Sequence, residues 1–249
     1  MHKLYKCIKY VVMKKASRIR PVTGAKQSHK TSKPLKSSAL GDAKTAIFNA
    51  AKDLFASRGF EGVSVREIAD AAGVHFGLVR YYFGGKPDLY RHCLRLYGER
   101  RLACANRLME PAESAEEFSL MLHEAIGDIL AVQLDDPSLT KIFLREVESS
   151  TSIADDVLGE TVIVMARRFI AFFRAAQERG IVRADVDAQI LTHMLQGTIN
   201  HFVRTDSVRK RHFGFSVQDA ASRNRLVAEI HGLLVNGIIF RSSKKEKRK

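Results

Sequence analysis

The segment 64–83 carries the start and stop signals of two short helices joined by a tight turn. Ser64 and Glu67 have the Ser-x-x-Glu spacing of a capping box, in which each side chain satisfies a backbone N–H of the first helical turn. Gly73 follows the apolar stripe of that helix, where a left-handed glycine ends a helix at little cost. Ala69, Gly73 and Val79 together predict a close crossing of the two helices, which is a helix-turn-helix.

The flanking segments predict further helices and carry a family resemblance. Residues 45–60 contain Ala-x-x-Leu-Phe-x-x-x-Gly-Phe, an apolar helix face that ends at Gly59. Residues 81–90 contain Tyr-Tyr-Phe-x-x-Lys-x-x-Leu, with Pro87 in the first turn of the next helix. With Ile-Ala-x-x-Ala-Gly-Val in the first helix, these motifs resemble the DNA-binding domain of TetR-family transcriptional regulators over residues 41–101. The rest of the chain is similar only in length and helical character.

The positive charge is concentrated at the two ends of the chain. The formal net charge is +14, but residues 1–40 hold eleven Lys or Arg and no acidic residue, and residues 241–249 contribute +5, so residues 41–240 sum to −2. Net charge alone is therefore a poor argument for DNA binding by the folded part. We expect a basic disordered arm over 1–40 and a basic tail over 241–249. The arm is a solvated tail, a source of phosphate or minor-groove contacts, or an extension upstream of a start at Met13.

The second helix of the motif, predicted over residues 75–83, is the candidate base-reading element. Arg80 stands where the family usually has a tyrosine that touches the DNA backbone, and it either pairs bidentately with guanine or binds phosphate. Phe76 and Leu78 suit contacts with thymine methyl groups. His75 replaces the usual capping serine, which leaves the start of the helix open.

Other residues of the motif are predicted to hold phosphates. Ser64 offers a hydroxyl and a helix start, whereas Tyr82 and Lys86 match family positions that grip the backbone. Tyr81 faces either the DNA or the core against the first helix. The predicted DNA-binding residues are Ser64, His75, Phe76, Gly77, Leu78, Arg80, Tyr81, Tyr82 and Lys86.

Beyond residue 88 helical periodicity recurs between breaks, and strand signals are few. Pro111, Pro137, Gly180 and the 205–215 region separate predicted helices over 88–109, 115–134, 137–150, 153–179, 187–204 and 216–240. The predicted fold is all-α, with a three-helix helix-turn-helix DNA-binding domain over 41–101. A larger helical ligand-binding and dimerisation domain follows over 102–240.

The last two predicted long helices carry broad apolar faces. The resemblance implies that they form a dimer interface as a four-helix bundle about a two-fold axis; the alternative is that both faces belong to the core of one chain. A two-fold dimer predicts a roughly palindromic operator. The interface residues would be Ile190, Leu191, Met194, Leu195, Thr198, Phe202, Leu226, Ile230, Leu233 and Leu234.

The resemblance also implies a small-molecule effector bound by the larger domain, which shifts the population away from the DNA-binding state. Apolar and amphipathic side chains at helical spacing are candidates for the pocket lining, a pattern also typical of plain core. The candidates are Met121, His123, Phe143, Met165, Phe169, Phe173, Met194 and His201.

Signals for other classes of protein are weak. Gly-Gly-Lys at 84–86 lacks the rest of a phosphate-binding loop, and no catalytic or metal-ligand spacing occurs. Cys7, Cys93 and Cys104 suit structural roles or a redox-sensing thiol better than a disulfide framework. No apolar run reaches the roughly 20 residues of a membrane span. We expect no enzymatic activity, no metal, no cofactor and no membrane partner, in a cytoplasmic, nucleoid-associated protein.

The sequence therefore predicts a dimeric repressor of double-stranded DNA operators that a small molecule releases. An activator, or a regulator controlled by a protein partner, would use the same fold. A non-specific DNA-binding protein that relies on its basic ends is a further alternative, disfavoured by the nearly neutral residues 41–240.

Overall fold

A computed structural model describes residues 37–108, 110–149 and 153–239. Helix α1 begins at Ser37, so the last four residues of the predicted arm are helical, while the remainder of the arm and the tail at 241–249 lie outside the described residues. The all-α prediction is confirmed: the described ranges contain helices and no strand, apart from an isolated antiparallel bridge between Val182 and Ile239. No helix in these ranges is both long and apolar enough to cross a membrane.

Among the described residues, the N-terminal part consists of four helices. The predicted Gly73 turn joins α2 to α3, and left-handed Gly84 (φ 85°) ends α3 before Pro87 opens α4. A 3-10 turn over Ala105–Leu108 follows α4. The helices are α1 (Ser37–Arg58), α2 (Val65–Ala71), α3 (Gly77–Phe83) and α4 (Lys86–Cys104).

Seven helices follow, and most of them begin at an acidic or hydroxyl cap. Ser114, Asp136, Asp187 and Asp219 each accept a backbone N–H in the first turn of the next helix. A π-helical turn over Gly159–Ile163 divides the helix predicted over 153–179. The helices are α5 (Ala115–Asp135), α6 (Pro137–Val147), α7 (Asp155–Leu158), α8 (Val164–Glu178), α9 (Ala188–Arg204), α10 (Asp206–Phe213) and α11 (Ala220–Ile238).

Helix α10 corrects the predicted break at 205–215. Asp206 opens it, and left-handed Gly214 (φ 65°) closes it. Ser216 Oγ and the Val217 N–H both donate to the Asp206 carboxylate at 2.8 Å, which fastens the return of the chain. This closure depends on contacts made beyond the helix, so helical periodicity did not reveal it.

Two apolar clusters form the core. The N-terminal cluster combines α1 to α4 with α6 and α7 and includes Phe55, Ile68, Val79, Leu94 and Ile142. The C-terminal cluster combines α5, α8, α9 and α11 and includes Leu122, Phe169, Phe173, Leu195 and Leu226. Helix α4 runs through the predicted domain boundary at 101/102, and α6, assigned by the sequence to the larger domain, packs extensively on α1.

Candidate nucleic-acid interface

Helix α2 starts at the predicted capping box. The Glu67 N–H donates to Ser64 Oγ (3.2 Å), and the Ser64 N–H donates to Glu67 Oε2 (2.8 Å). Hydrogen bonds from the Ser64 hydroxyl and from Arg58 lower the pKa of Glu67 to about 2. The Ser64 hydroxyl is thus engaged as donor and as acceptor, and its contact with a phosphate stays a prediction that requires it to leave Glu67.

The turn between α2 and α3 follows the sequence prediction. Gly73 has a φ of 65°, and the Val74 N–H donates to the Ala69 carbonyl at 3.0 Å. Helix α3 begins at Gly77, later than predicted, with Phe76 at the N-cap position. The Gly77 N–H donates to Nδ1 of His75 at 3.2 Å, so the imidazole accepts a backbone N–H at the start of the helix.

Helix α3 has an inward and an outward face. Val79 is fully buried in the N-terminal cluster, whereas Phe76 is 51% and Tyr81 75% exposed. The exposure of Tyr81 decides between its two predicted positions in favour of the surface. Gly77 and Leu78 are half-buried. The outward face comprises Arg80 and Tyr81 on α3 together with His75 and Phe76 immediately before it.

The two residues predicted to grip the DNA backbone make contacts within the protein. Lys86 Nζ donates to the Phe60 carbonyl (2.9 Å) and lies 4.0 Å from the centre of the Phe60 ring. Tyr82 is half-buried, and its buried hydroxyl has no hydrogen-bond partner among the described residues. Both roles stay predictions: Lys86 keeps two more N–H donors, whereas the Tyr82 hydroxyl must turn outward to reach a phosphate.

Two exposed basic residues at or near the motif were not among the DNA-binding residues predicted from the sequence. Arg66 is exposed in the first turn of α2, immediately after the cap. Lys44 on α1 is exposed, with Nζ 5.7 Å from the Phe83 ring at the end of α3. The position of Arg66 behind a capping box was a usable signal, whereas the proximity of Lys44 to α3 appears only once α1 packs across the motif.

The residues predicted for the dimer interface fall into two groups. Leu191, Leu195, Leu226 and Ile230 are buried within the chain, and Phe202 and Leu234 are half-buried. Thr198 is exposed. Large apolar groups on α9 and α11 also face outward, with exposures of 60% for Ile190, 61% for Met194 and 76% for Leu233. Helix α9 thus has a core face and a separate exposed pair of apolar side chains, and α11 has a core face and the exposed Leu233.

The residues predicted for the pocket do not come together. Met165, Phe169 and Phe173 are buried in the C-terminal cluster, with Met121 half-buried against it. Phe143 belongs to the N-terminal cluster, where its ring centre lies 4.8 Å from that of Tyr97. His123, Met194 and His201 are exposed. A single lining from all eight would need core and surface residues at once, so the pocket stays a prediction.

The described cysteines are buried thiols. Cys93 lies in the N-terminal cluster and Cys104 in the C-terminal one, and neither forms a disulfide. Burial raises the pKa of Cys93 to about 12, which keeps it in the unreactive thiol form. Of the two predicted roles, a structural one fits Cys93 better. No group of three or more metal-ligating side chains occurs in the described part of the chain.

The all-α fold and the outward face of α3 define a helix-turn-helix DNA-binding protein. The family model described as "Bacterial regulatory proteins, tetR family" matches residues 47–93, which span α1 to α4. The HTH-type transcriptional regulator YttP of Bacillus subtilis (strain 168) is 31% identical over 119 residues, which cover 47% of this chain and 56% of YttP.

Other relatives match over a longer range. The HTH-type transcriptional regulator RutR of Escherichia coli (strain K12) is 25% identical over 206 residues, covering 82% of this chain and 93% of RutR. The HTH-type transcriptional repressor KstR2 of Rhodococcus jostii is 26% identical, covering 72% and 91%. The structure of FadR from Bacillus subtilis with stearoyl-CoA has a TM-score of 0.59 at 21% identity and covers 78% of this chain and 98% of FadR, which supports the fold.

Residues 47–93 therefore form the DNA-binding domain of the TetR family of bacterial regulatory proteins, and the relatives that match over a longer range are regulators of transcription. The family model spans the helix-turn-helix with its capping box, its glycine turn and the outward face of α3. Control of transcription, not catalysis, is what this family and these relatives have in common.

Proposed function

We propose that this protein is a dimeric, sequence-specific repressor that binds a palindromic operator and is released from it by a small molecule. The observation that carries the proposal is the outward face of α3, formed by His75, Phe76, Arg80 and Tyr81. This face combines a guanidinium for a guanine edge with apolar groups for thymine methyls on one exposed surface. The opposite side of α3 is buried through Val79, so the N-terminal cluster fixes the orientation of the outward face.

Dimer formation is supported by the exposed apolar groups of the last long helices. Ile190 and Met194 lie one turn apart on α9, and Leu233 is exposed on α11. Burying such groups against a two-fold mate removes apolar surface from water, at about 25 cal/mol per Å². The same patch on both subunits is self-complementary, as a two-fold interface requires. Each α3 would then read one half-site.

Release by a ligand is supported by the relatives and by the course of α4. KstR2 is named a repressor, and FadR was solved with stearoyl-CoA. Helix α4 contributes Leu89 and Leu94 to the N-terminal cluster, while Cys104 at its end joins the C-terminal cluster. A ligand that moves the C-terminal end of α4 would therefore move the DNA-binding part, and a coupling of about 1–3 kcal/mol changes operator affinity about 5–150-fold.

The test is a selection of bound duplexes from random DNA with the full chain at near-physiological salt and excess competitor DNA. We expect an enriched palindrome with two half-sites. Sedimentation at the same concentrations should give a dimer, and loss of the protein in cells should raise expression from promoters with the motif. Enrichment of no motif would refute site-specific binding, whereas lower expression would identify an activator.

Arg80→Ala tests the base-reading face. We expect the preference at one position of each half-site to flatten, with a loss of about 1–3 kcal/mol of discrimination. The matched control is Arg174→Ala, which removes an exposed arginine on α8, outside the helix-turn-helix. An equal loss of affinity for every sequence would instead assign Arg80 to phosphate binding.

A further inference from the structure

Helix α4 carries a buried cation near its C-terminal end. Arg101 is 3% exposed. Its guanidinium carbon lies 5.3 Å from the centre of the Phe143 ring, and Tyr97 hydrogen-bonds to its side chain. Burial lowers the pKa of Arg101, since the charged form is removed from water. The residue therefore sits in an apolar and aromatic environment in which a positive charge is costly.

Arg101 has no counter-ion in the described part of the chain. The titratable groups that act on its charge are Tyr97 and Cys104, neither of which is a carboxyl group. Its Nε is buried and lacks a hydrogen-bond partner. Native proteins almost always pair a buried charge and satisfy its hydrogen bonds, because an isolated buried ion is among the most unfavourable arrangements in an interior.

A second orphan polar atom lies in the same network. Gln133 on α5 is 1% exposed, and its Oε1 accepts no hydrogen bond from any residue that the structure describes, while its Nε2 donates to Asn200 at 3.1 Å. Thr140 Oγ1 lies 2.8 Å from the Gln133 carbonyl oxygen and 3.0 Å from the hydroxyl of Tyr97. Polar groups thus run from the buried Arg101 through Tyr97, Thr140 and Gln133 to the half-buried Asn200. Of the two unpartnered atoms, Arg101 Nε is the donor that a carboxylate can satisfy, whereas Gln133 Oε1 is an acceptor that a carboxylate leaves unsatisfied.

We propose that Arg101 is the anchor of a binding site for a small carboxylate effector. One cation balances one negative charge, which favours a monocarboxylate over a dianionic phosphate. The planar guanidinium presents donors in the fork geometry that a carboxylate accepts. The rings of Phe143 and Tyr97 lie beside the guanidinium and are buried, so the body of the molecule would pack against them only after the surrounding helices move apart. This inference rests on the proposed ligand control and names the chemical class of the ligand.

The position of Arg101 connects the site to DNA binding. It lies 15 residues from Lys86, the first residue of α4, which is about 22 Å along the helix. Lys86 holds the Phe60 carbonyl beside the helix-turn-helix, and Tyr90 and Leu94 pack in the N-terminal cluster. A carboxylate that draws Arg101 toward itself therefore moves a helix whose other end supports α3.

The experiment measures thermal unfolding of the full chain with benzoate or octanoate as probes. Benzamide and octanamide, which have the same bodies without the charge, are the matched ligands, and chloride equalises the ionic strength. We expect at least one carboxylate to raise Tm by about 3–6 °C at ten times its dissociation constant, and its amide to leave Tm unchanged. No rise with either carboxylate, or an equal rise with the amide, overturns the proposal.

Variants of adjacent arginines separate the anchor from general charge. Arg101→Leu should abolish the carboxylate response and leave the ligand-free Tm unchanged or higher, because removing an unpaired buried charge is neutral or favourable. Arg100→Leu is the control, since Arg100 is exposed and pairs with Asp135 at 3.3 Å, and it should keep the full response. Arg101→Lys, which keeps the charge and loses the fork, should respond more weakly than the natural protein. A full response in both Arg101 variants overturns the proposal.

Operator binding separates this inference from the proposed function. A carboxylate response that depends on Arg101, together with unchanged operator affinity, would keep the site and refute release by the ligand. Operator binding by a protein whose Tm no carboxylate raises would keep the regulator and refute the site. Loss of operator affinity with the carboxylate, but not with its amide and not in Arg101→Leu, is the result expected if both are correct.

Discussion

The helix-turn-helix is held by contacts between residues close in sequence, whereas the helices behind it are held by contacts between residues far apart in sequence. Within the motif, Ser64 bonds to Glu67 and His75 bonds to Gly77. Behind it, Arg145 on α6 donates to the Phe55 carbonyl of α1 at 3.0 Å, across 90 residues of sequence. Neighbouring residues therefore define the part that would contact DNA, whereas distant residues determine how firmly that part is held.

The remote support includes a buried polar contact. The Tyr90 hydroxyl on α4 donates to Glu146 Oε2 on α6 at 2.7 Å, and burial, with Glu146 nearby, raises the pKa of Tyr90. Lys52 on α1 pairs with Asp136, the capping residue of α6, at 2.9 Å. Helix α6 thus fastens α1 and α4 together. The comparison predicts that the most damaging substitutions lie outside the motif.

The largest effect is expected for Ile142→Ala on α6. Ile142 is 1% exposed in the N-terminal cluster, and truncation of such a side chain leaves a cavity that costs about 2–5 kcal/mol of unfolding free energy. Urea unfolding at fixed protein concentration measures the loss. Operator affinity should fall at temperatures where the variant partly unfolds.

The matched control on the same helix is Val147→Ala. Val147 is 40% exposed, so its truncation should change the unfolding free energy by no more than about 0.5 kcal/mol. Equal effects of the two substitutions would show that α6 does not support the N-terminal cluster.

An intermediate effect is expected for Gly98→Ala on α4. An added Cβ would lie 2.6 Å from Thr161 Cγ2, in a contact that neither side chain can relax easily, because Thr161 is itself buried. Alanine favours a helix over glycine by about 1 kcal/mol. Overpacking of about 1–3 kcal/mol should nevertheless win, so that thermal or urea unfolding shows a net loss.

Gly127→Ala on α5 has the opposite expected sign. Nothing lies within 4 Å of a Cβ at Gly127, so the helix preference of alanine should stabilise the protein by about 0.5–1 kcal/mol. If alanine increased the unfolding free energy at both Gly98 and Gly127, α4 and the turn at Thr161 would have to move apart at little cost.

The same contrast between contacts of sequence neighbours and contacts of distant residues explains which features could be predicted from the sequence. The capping box, the Gly73 turn and the inward Val79 follow from neighbouring residues, and the structure confirms each of them. The docking of α6 on α1, the burial of Arg101 and helix α10 depend on residues far apart in sequence, and none was predicted. Side chains such as Phe143 and Met194 have apolar character that periodicity detects, but their assignment to a core or a surface required the packing.

Glu67→Gln should have the smallest effect, because it leaves the local geometry of the motif in place. Glutamine can still accept the Ser64 N–H, so the cap is retained while the charge that Arg58 contacts at 2.7 Å is lost. The pKa of Glu67 in the folded protein, about 2, lies below the ordinary glutamate value of 4.5. Its contribution is therefore complete above about pH 4.5 and is lost as the pH falls toward 2.

Urea unfolding of the natural protein and of Glu67→Gln between pH 2 and 7 measures this contribution. We expect the two curves to differ by a small constant above pH 5 and to converge as the pH falls, because the charged form of Glu67 is the one that the fold stabilises. If the two curves stayed parallel down to pH 2, Glu67 would not contribute to the loss of unfolding free energy in acid. If the difference at pH 7 were as large as that of Ile142→Ala, the local capping contacts would be the main support of the proposed DNA-binding face.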